Sequence, residues 1–394
     1  MRRFLCSTVI LMALFGRPGG GFGQDSLITD HYEIHSEDQA AREKIAGDLE
    51  GRFAVYTRIF RFNPQSLAAP LKVRLMSDTE AYDRYLINRL GEKNTGALYL
   101  HYRQTDRREL VVNYGNGTGW EQTLPYQSFV QYLRSFIANP PVWIEEGFAI
   151  YFSTLSVEGG ESAYTENLSW LERVKELPAV PVWDILLLGI QDGSASFPRE
   201  DYSALSWALV SFFLNSGNDE YFRSLLECFL LLSPDAGLEE NTTAVAEWIV
   251  RWNGFENLDR DYYSYVGARK TFSELMNEGR RMYGAGDLDT AEPVFAAARD
   301  QRPGHYAPYY YLGLIAYGRG AWDRAERYYN SSLERGADRA LVYYALGLNA
   351  AAAEQGERAA EFLGLAVEAD PVRYSERANT LLRRIQVRQR MEME

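Results

Sequence analysis

The sequence predicts an α+β domain, a small mixed sheet plus a helical subdomain, followed by an all-α solenoid of repeats. Three observations predict it. Before residue 115, short stretches of alternating apolar residues are interleaved with stretches of helical spacing. From Thr123 to about Tyr265, helical spacing dominates. Beyond that, small residues recur every 34 positions, at Gly279, Gly313 and Gly347 and again at Ala291, Ala325 and Ala359.

The elements follow in order. Residues 1–23 have the layout of an export signal: Arg2 and Arg3, an apolar run from Phe4 to Phe15, then small residues Gly21 and Gly23 before Gln24. The run is too short to span a bilayer, which takes about 20 residues, although an uncleaved N-terminal anchor is the alternative. Ala40 to Phe60 places Ile45, Leu49, Phe53, Tyr56 and Ile59 or Phe60 on one helical side. Leu71–Met76 alternates as a strand, Glu80–Leu90 reads as a helix, and two strands follow at Ala97–Tyr102 and Glu109–Tyr114. The first domain is placed at 28–265.

The 34-residue period with paired small residues resembles tetratricopeptide repeats, at about 271–304, 305–337 and 338–371, with an Arg-rich capping helix over 372–390. Leu312-Gly313 and Leu346-Gly347 take the first-helix contact, while Phe295, Tyr329 and Leu363 take the large apolar slot of the second helix. Pro303 and Pro371 are read as closing repeats one and three. By position in the repeat, Met276, Arg280, Tyr283, Tyr310, Leu314, Tyr317, Tyr344 and Leu348 face the concave groove. Its tyrosines offer large rigid surfaces with polar tips, suited to a protein or peptide partner; packing between repeats is the bland reading.

Composition limits the partners. The chain has 394 residues, 46% hydrophobic and 24% charged, with a formal net charge of −13. An acidic surface disfavours nucleic acid and anionic membranes. Of the 2 cysteines, only Cys228 remains if the signal is removed, which leaves no intrachain disulfide and favours a bacterial envelope, periplasmic or secreted setting. Cys228 itself, within an apolar run, reads as a buried thiol.

Two helical segments carry the remaining chemistry. Tyr126, Phe129, Val130, Leu133, Phe136 and Ile137 form an apolar face, and beside it Gln127 and Gln131 stand one turn apart. Further on, Trp143-Ile-Glu-Glu-Gly-Phe-Ala-Ile-Tyr-Phe152 opens after Pro140-Pro141. Together with the preceding strands and the Tyr202–Phe212 helix, these segments resemble a peptidase MA-like (gluzincin) metallopeptidase domain. In that family H-E-x-x-H supplies two zinc ligands and a base, and a Glu before Gly supplies the third ligand. The resemblance puts the third ligand on Glu146, the two His ligands on Gln127 and Gln131, and the catalytic Glu on Ser128. Neutral amides are poor zinc ligands and a hydroxyl is no general base. The implied domain is therefore inactive and without a cofactor, its glutamines being either a vestigial metal-free cleft or a solvated stripe. Glu146 is then a first-turn acid at a helix N-terminus, and Trp143 is core. The alternative is a zinc-dependent metallopeptidase with non-standard ligands, in which a distant His such as His101 joins Glu146. The other three histidines, 31, 35 and 305, have no ligand pairing on a helix; His31 and His35 fall in an extended segment.

Overall fold

The structure, a computed structural model, describes residues 26–158, 161–190 and 198–393. The export-signal reading of residues 1–23 lies outside them. The chain divides into two compact units between Arg269 and Lys270.

In the first unit, strands β1 (Ser26–Ile28), β2 (Tyr32–His35), β3 (Leu71–Met76), β4 (Ala97–Leu100) and β5 (Glu109–Asn113) form one mixed sheet in the order β1-β2-β3-β5-β4. The β2–β3 and β3–β5 pairs are parallel, and the two flanking pairs are antiparallel. Strand β3 shows why the sheet has two different faces: Leu71, Val73 and Leu75 are buried, while Lys72, Arg74 and Met76 are half-buried on the other side. Helix α1 (Gln39–Phe60), capped by Asp38 accepting from the Ala41 N–H, covers the first face with Leu49, Phe53, Tyr56 and Phe60. Helix α2 (Thr79–Leu90) covers part of the second, Tyr82 and Leu86 packing with Leu100 and Val111. It stops at Gly91, whose φ of 81° is readily reached without a Cβ.

Helix α3 (Trp120–Phe136) runs beneath the sheet and is followed by α4 (Val142–Tyr151). Next come a two-stranded hairpin of β6 (Ser156–Glu158) and β7 (Glu161–Ala163), then α5 (Ser169–Glu176), α6 (Val182–Leu186), α7 (Arg199–Asn215), α8 (Asp219–Cys228), α9 (Leu238–Asn253) and α10 (Phe255–Ala268). The stretch after Thr123 is mainly helical, as expected, with this hairpin as its interruption. Helices α4 and α7 pack closely because Gly147 has no side chain: a Cβ there would collide with the Ser206 carbonyl oxygen and lie 2.7 Å from Val210 Cγ2. Trp143 and Cys228 are fully buried in this core.

The second unit is a run of antiparallel helices: α11 (Phe272–Gly284), α12 (Leu288–Gln301), α13 (Tyr306–Gly318), α14 (Trp322–Glu334), α15 (Arg339–Ala352), α16 (Gly356–Ala369) and α17 (Pro371–Met393). The periodic residues make the contacts expected of them. A Cβ on Gly279 would meet the Phe295 ring at 2.7 Å, one on Gly313 the Tyr329 ring at 2.6 Å, and one on Gly347 Leu363 at 2.8 Å. Ala291, Ala325 and Ala359 are fully buried. Pro371 follows Asp370, the C-cap of α16, and is the first residue of α17, where a missing N–H costs nothing.

Candidate functional site

Gln127 and Gln131 do not face Glu146. The Tyr99 N–H donates to Gln127 Oε1 at 2.9 Å, and Gln131 Nε2 donates to the Lys72 carbonyl at 2.9 Å. One turn earlier, the Ala97 N–H donates to Thr123 Oγ1 at 2.7 Å. Thr123, Gln127 and Gln131 thus form one polar stripe that stitches α3 to the sheet. Two of its members satisfy the outward N–H groups of the edge strand β4, which would otherwise be left unpaired. The solvated-stripe reading is overturned: Gln131 is only 2% exposed. Ser128 is also fully buried, its hydroxyl donating to the Pro125 carbonyl and lying 3.3 Å from the Tyr56 hydroxyl.

The α3 residue that meets Glu146 is Tyr126, whose hydroxyl donates to Glu146 Oε2. Ser203 on α7 donates to the other oxygen at 2.5 Å. Glu146 is the fifth residue of α4, so the first-turn acid is its neighbour Glu145. Glu145 is held by Arg134, with Nε and Nη2 bonding its two oxygens at 2.5 and 2.9 Å. Burial pushes the Glu145 carboxyl up, with Arg134 pulling against it. Burial first, then Glu146, hold the Tyr126 phenol far above its ordinary value; Tyr202 is raised in the same way. The result is a protonated hydroxyl cage around one carboxylate. Such a cage ties α3, α4 and α7 together through Glu146.

The histidines are dispersed. His31 stacks on Phe53 at 3.8 Å and bonds Glu50, His35 pairs with Glu33 at 3.1 Å, and His305 caps α13. His101 lies just beyond β4; its pKa is lowered to about 4, by partial desolvation first and then by Arg134 and Arg108. Among the described residues no three His, Cys, Asp or Glu side chains gather as a metal site requires. Gln131 is bound to the Lys72 carbonyl, and Glu146 to Tyr126 and Ser203.

In the repeat unit, Tyr283, Tyr310, Leu314, Tyr317, Tyr344 and Leu348 are half-buried and Arg280 is exposed. Met276 is an exception to the expected groove, being 3% exposed in the core. The tyrosines are braced by neighbours: Tyr283 edge-on to Tyr311, Tyr310 against Tyr329, Tyr317 against Trp322, and Tyr344 against Tyr374 of α17. Burial, followed by Tyr374, Tyr283 and Tyr311, raises the Tyr310 phenol to about 12.

The comparisons bear on this second unit. The tetratricopeptide repeat family model matches residues 282–348. The chain carries tetratricopeptide repeats. No curated protein matches it. Among solved structures it is similar to the Yersinia enterocolitica type III secretion chaperone SycD in complex with a peptide of the translocator YopD, at 18% identity over 30% of this chain and 93% of that one, with a TM-score of 0.28. It is also similar to MamA 41-end from Desulfovibrio magneticus RS-1, at 20% identity over 44% of this chain and 86% of that one, with a TM-score of 0.28. No helix among the described residues is long and apolar enough to cross a membrane.

Sequence reasoning missed Tyr126, Ser203 and the Glu145–Arg134 pair. Periodicity could have found the first: Tyr126, Val130 and Arg134 share one face of α3 at steps of four, one residue step of about 100° around the helix from the glutamines.

Proposed function

We propose that this protein is an exported, non-catalytic binding protein of the bacterial envelope, whose repeat groove holds a peptide segment of a partner protein. On this reading the first unit keeps a gluzincin-like scaffold without its chemistry. The observation that carries the reading is the engagement of Glu146 by two hydroxyls, with Tyr126 and, one turn on, Val130 on the helix face where ligands for a shared ion would stand. Neither residue is a zinc ligand of the usual kind. The family correspondence thereby moves by one residue, from Gln127 and Gln131 to Tyr126 and Val130, and the base position moves to Gln127, an amide with no proton-accepting role. Binding by the repeats is supported by the family match and by the half-buried tyrosine wall of Tyr283, Tyr310 and Tyr317.

Two measurements test this together. Metal analysis of the purified protein is expected to give zinc well below one equivalent and no chelator-sensitive proteolysis; stoichiometric zinc with proteolysis overturns the reading. A photo-crosslinker replacing Tyr317, activated in the native envelope, is expected to trap a discrete partner, and the Tyr310→Ala variant to lose most of that product. Equal trapping by the variant removes the groove from the account.

A further inference from the structure

The outer face of the first unit's sheet carries a concentration of positive charge in a chain whose net charge is −13. A cavity of about 190 Å³ is lined by Lys72, Arg74, Arg89 and Arg107 against the carboxylates of Asp106 and Glu109, which leaves two surplus positive charges. The strand pattern places them: Lys72 and Arg74 are the outward residues of β3, and the turn Thr105–Arg107 brings Arg107 beside them.

Glu109 is already neutralised, bonding Arg74 Nε at 3.0 Å and the Tyr85 hydroxyl, with Arg89 Nε at 3.6 Å. One Glu109 carboxylate against Arg74 and Arg89 leaves one positive charge there, and Lys72 and Arg107 against the Asp106 carboxylate leave the second. Lys72 Nζ donates to a neutral acceptor, the Asp106 carbonyl, at 2.9 Å. Arg107 lies over the Tyr102 ring at 5.0 Å and donates to the Gln104 amide oxygen at 3.3 Å. A second observation points at a ligand independently of charge. Tyr102 belongs to the same lining, and its hydroxyl is buried with no hydrogen-bond partner among the described residues. An orphaned buried donor costs about 1–3 kcal/mol, a cost removed by an acceptor entering the cavity.

The geometry points to a binding site for a small phosphomonoester on this face, its dianionic phosphate accepting from Lys72, Arg107 and the Tyr102 hydroxyl. The charge surplus matches a dianion, and donors of two kinds, a fork and a point charge, suit a phosphate's three oxygens. The volume, about six waters' worth at ~30 Å³ each, leaves room for a short organic substituent. None of these residues belongs to the Glu146 cluster or to the repeat groove, so the inference is independent of the proposed function.

The test is calorimetric titration of the full chain with inorganic phosphate and, separately, with O-phosphoserine and serine. O-phosphoserine is expected to bind with a Kd below about 1 mM, and serine not at all. Binding of inorganic phosphate equal to that of the ester would support the site with the free ion as its source; weaker binding supports an organic phosphate. Arg107→Glu, an exposed change, is expected to weaken binding by at least about tenfold, and Tyr102→Phe severalfold, both with unchanged melting temperature. Absence of binding by both phosphates, or affinity unaffected by Arg107→Glu and by Lys72→Ala, overturns the inference.

Discussion

In the repeats, Gly279, Gly313 and Gly347 each meet a large side chain 16 residues further along, so the contacts that shape the unit are local and recur with the sequence. In the sheet unit, Gln131 reaches Lys72 across 59 residues and Asn241 reaches the Asn139 carbonyl across 102. Both units exclude water around close-packed apolar side chains, yet only the first arrangement writes its contacts into a period. The difference teaches where a motif can mislead. Spacing within one helix tells which residues share a face, but not which neighbour that face meets.

The sharpest way to break this comparison is to add one methyl group in each unit. In Gly147→Ala the new Cβ meets a backbone oxygen, Ser206 O, which cannot move without moving α7, and a loss of about 3 kcal/mol is expected. In Gly313→Ala it meets the Tyr329 ring, a side chain with some freedom to turn, and a loss of about 1–2 kcal/mol is expected. Urea denaturation of the two variants decides the order; equal losses would mean that the sheet unit is no more rigidly fixed than the repeats.

A second pair of variants sharpens the role of the polar stripe. Gln131→Ala is expected to cost about 2–3 kcal/mol through a cavity and an unpaired Lys72 carbonyl. Gln131→Leu fills the volume and also removes the buried, unpartnered Gln131 Oε1, so its cost is expected to stay below about 1 kcal/mol. If both cost the same, the bond to Lys72 decides the site rather than packing.

The smallest effect concerns pH. The folded-state pKa of His101, about 4, lies below the ordinary 6.5, so folding favours its neutral form. Its contribution to stability is present above pH 6.5 and fades as pH falls toward 4. NMR titration of the ring is expected to show no protonation at pH 5.5, and His101→Gln to flatten the stability profile between pH 6.5 and 4. A midpoint near 6.5 would show that neither desolvation nor Arg134 and Arg108 act on it.

Legibility follows the same division. Strands β3, β4 and β5, helix α1 and every small-to-large contact of the repeats could be read because alternation and the 34-residue step are properties of neighbouring residues. Tyr126 as the partner of Glu146 was not legible: it depends on how α4 and α7 are set against α3, and that setting rests on Gly147 and Ser203 from separate stretches of chain. The burial of Met276 was missed for a related reason. Position in a repeat gives a direction, whereas Met276 is buried by Phe295, Ala307 and Leu312, which α12 and α13 bring against it.

By itself, the sequence determined the helix and strand periods, the small residues at which helices approach, and the absence of imidazole and thiolate from the candidate ligand helix. Only the tertiary structure decided that Gln127 and Gln131 serve the sheet backbone, that hydroxyls enclose Glu146, and that Lys72 and Arg107 share a cavity. The physical reason is range. Backbone preference and side-chain spacing act within a few residues, while the partner of a buried polar atom is chosen by whichever distant element the apolar core brings within hydrogen-bonding distance.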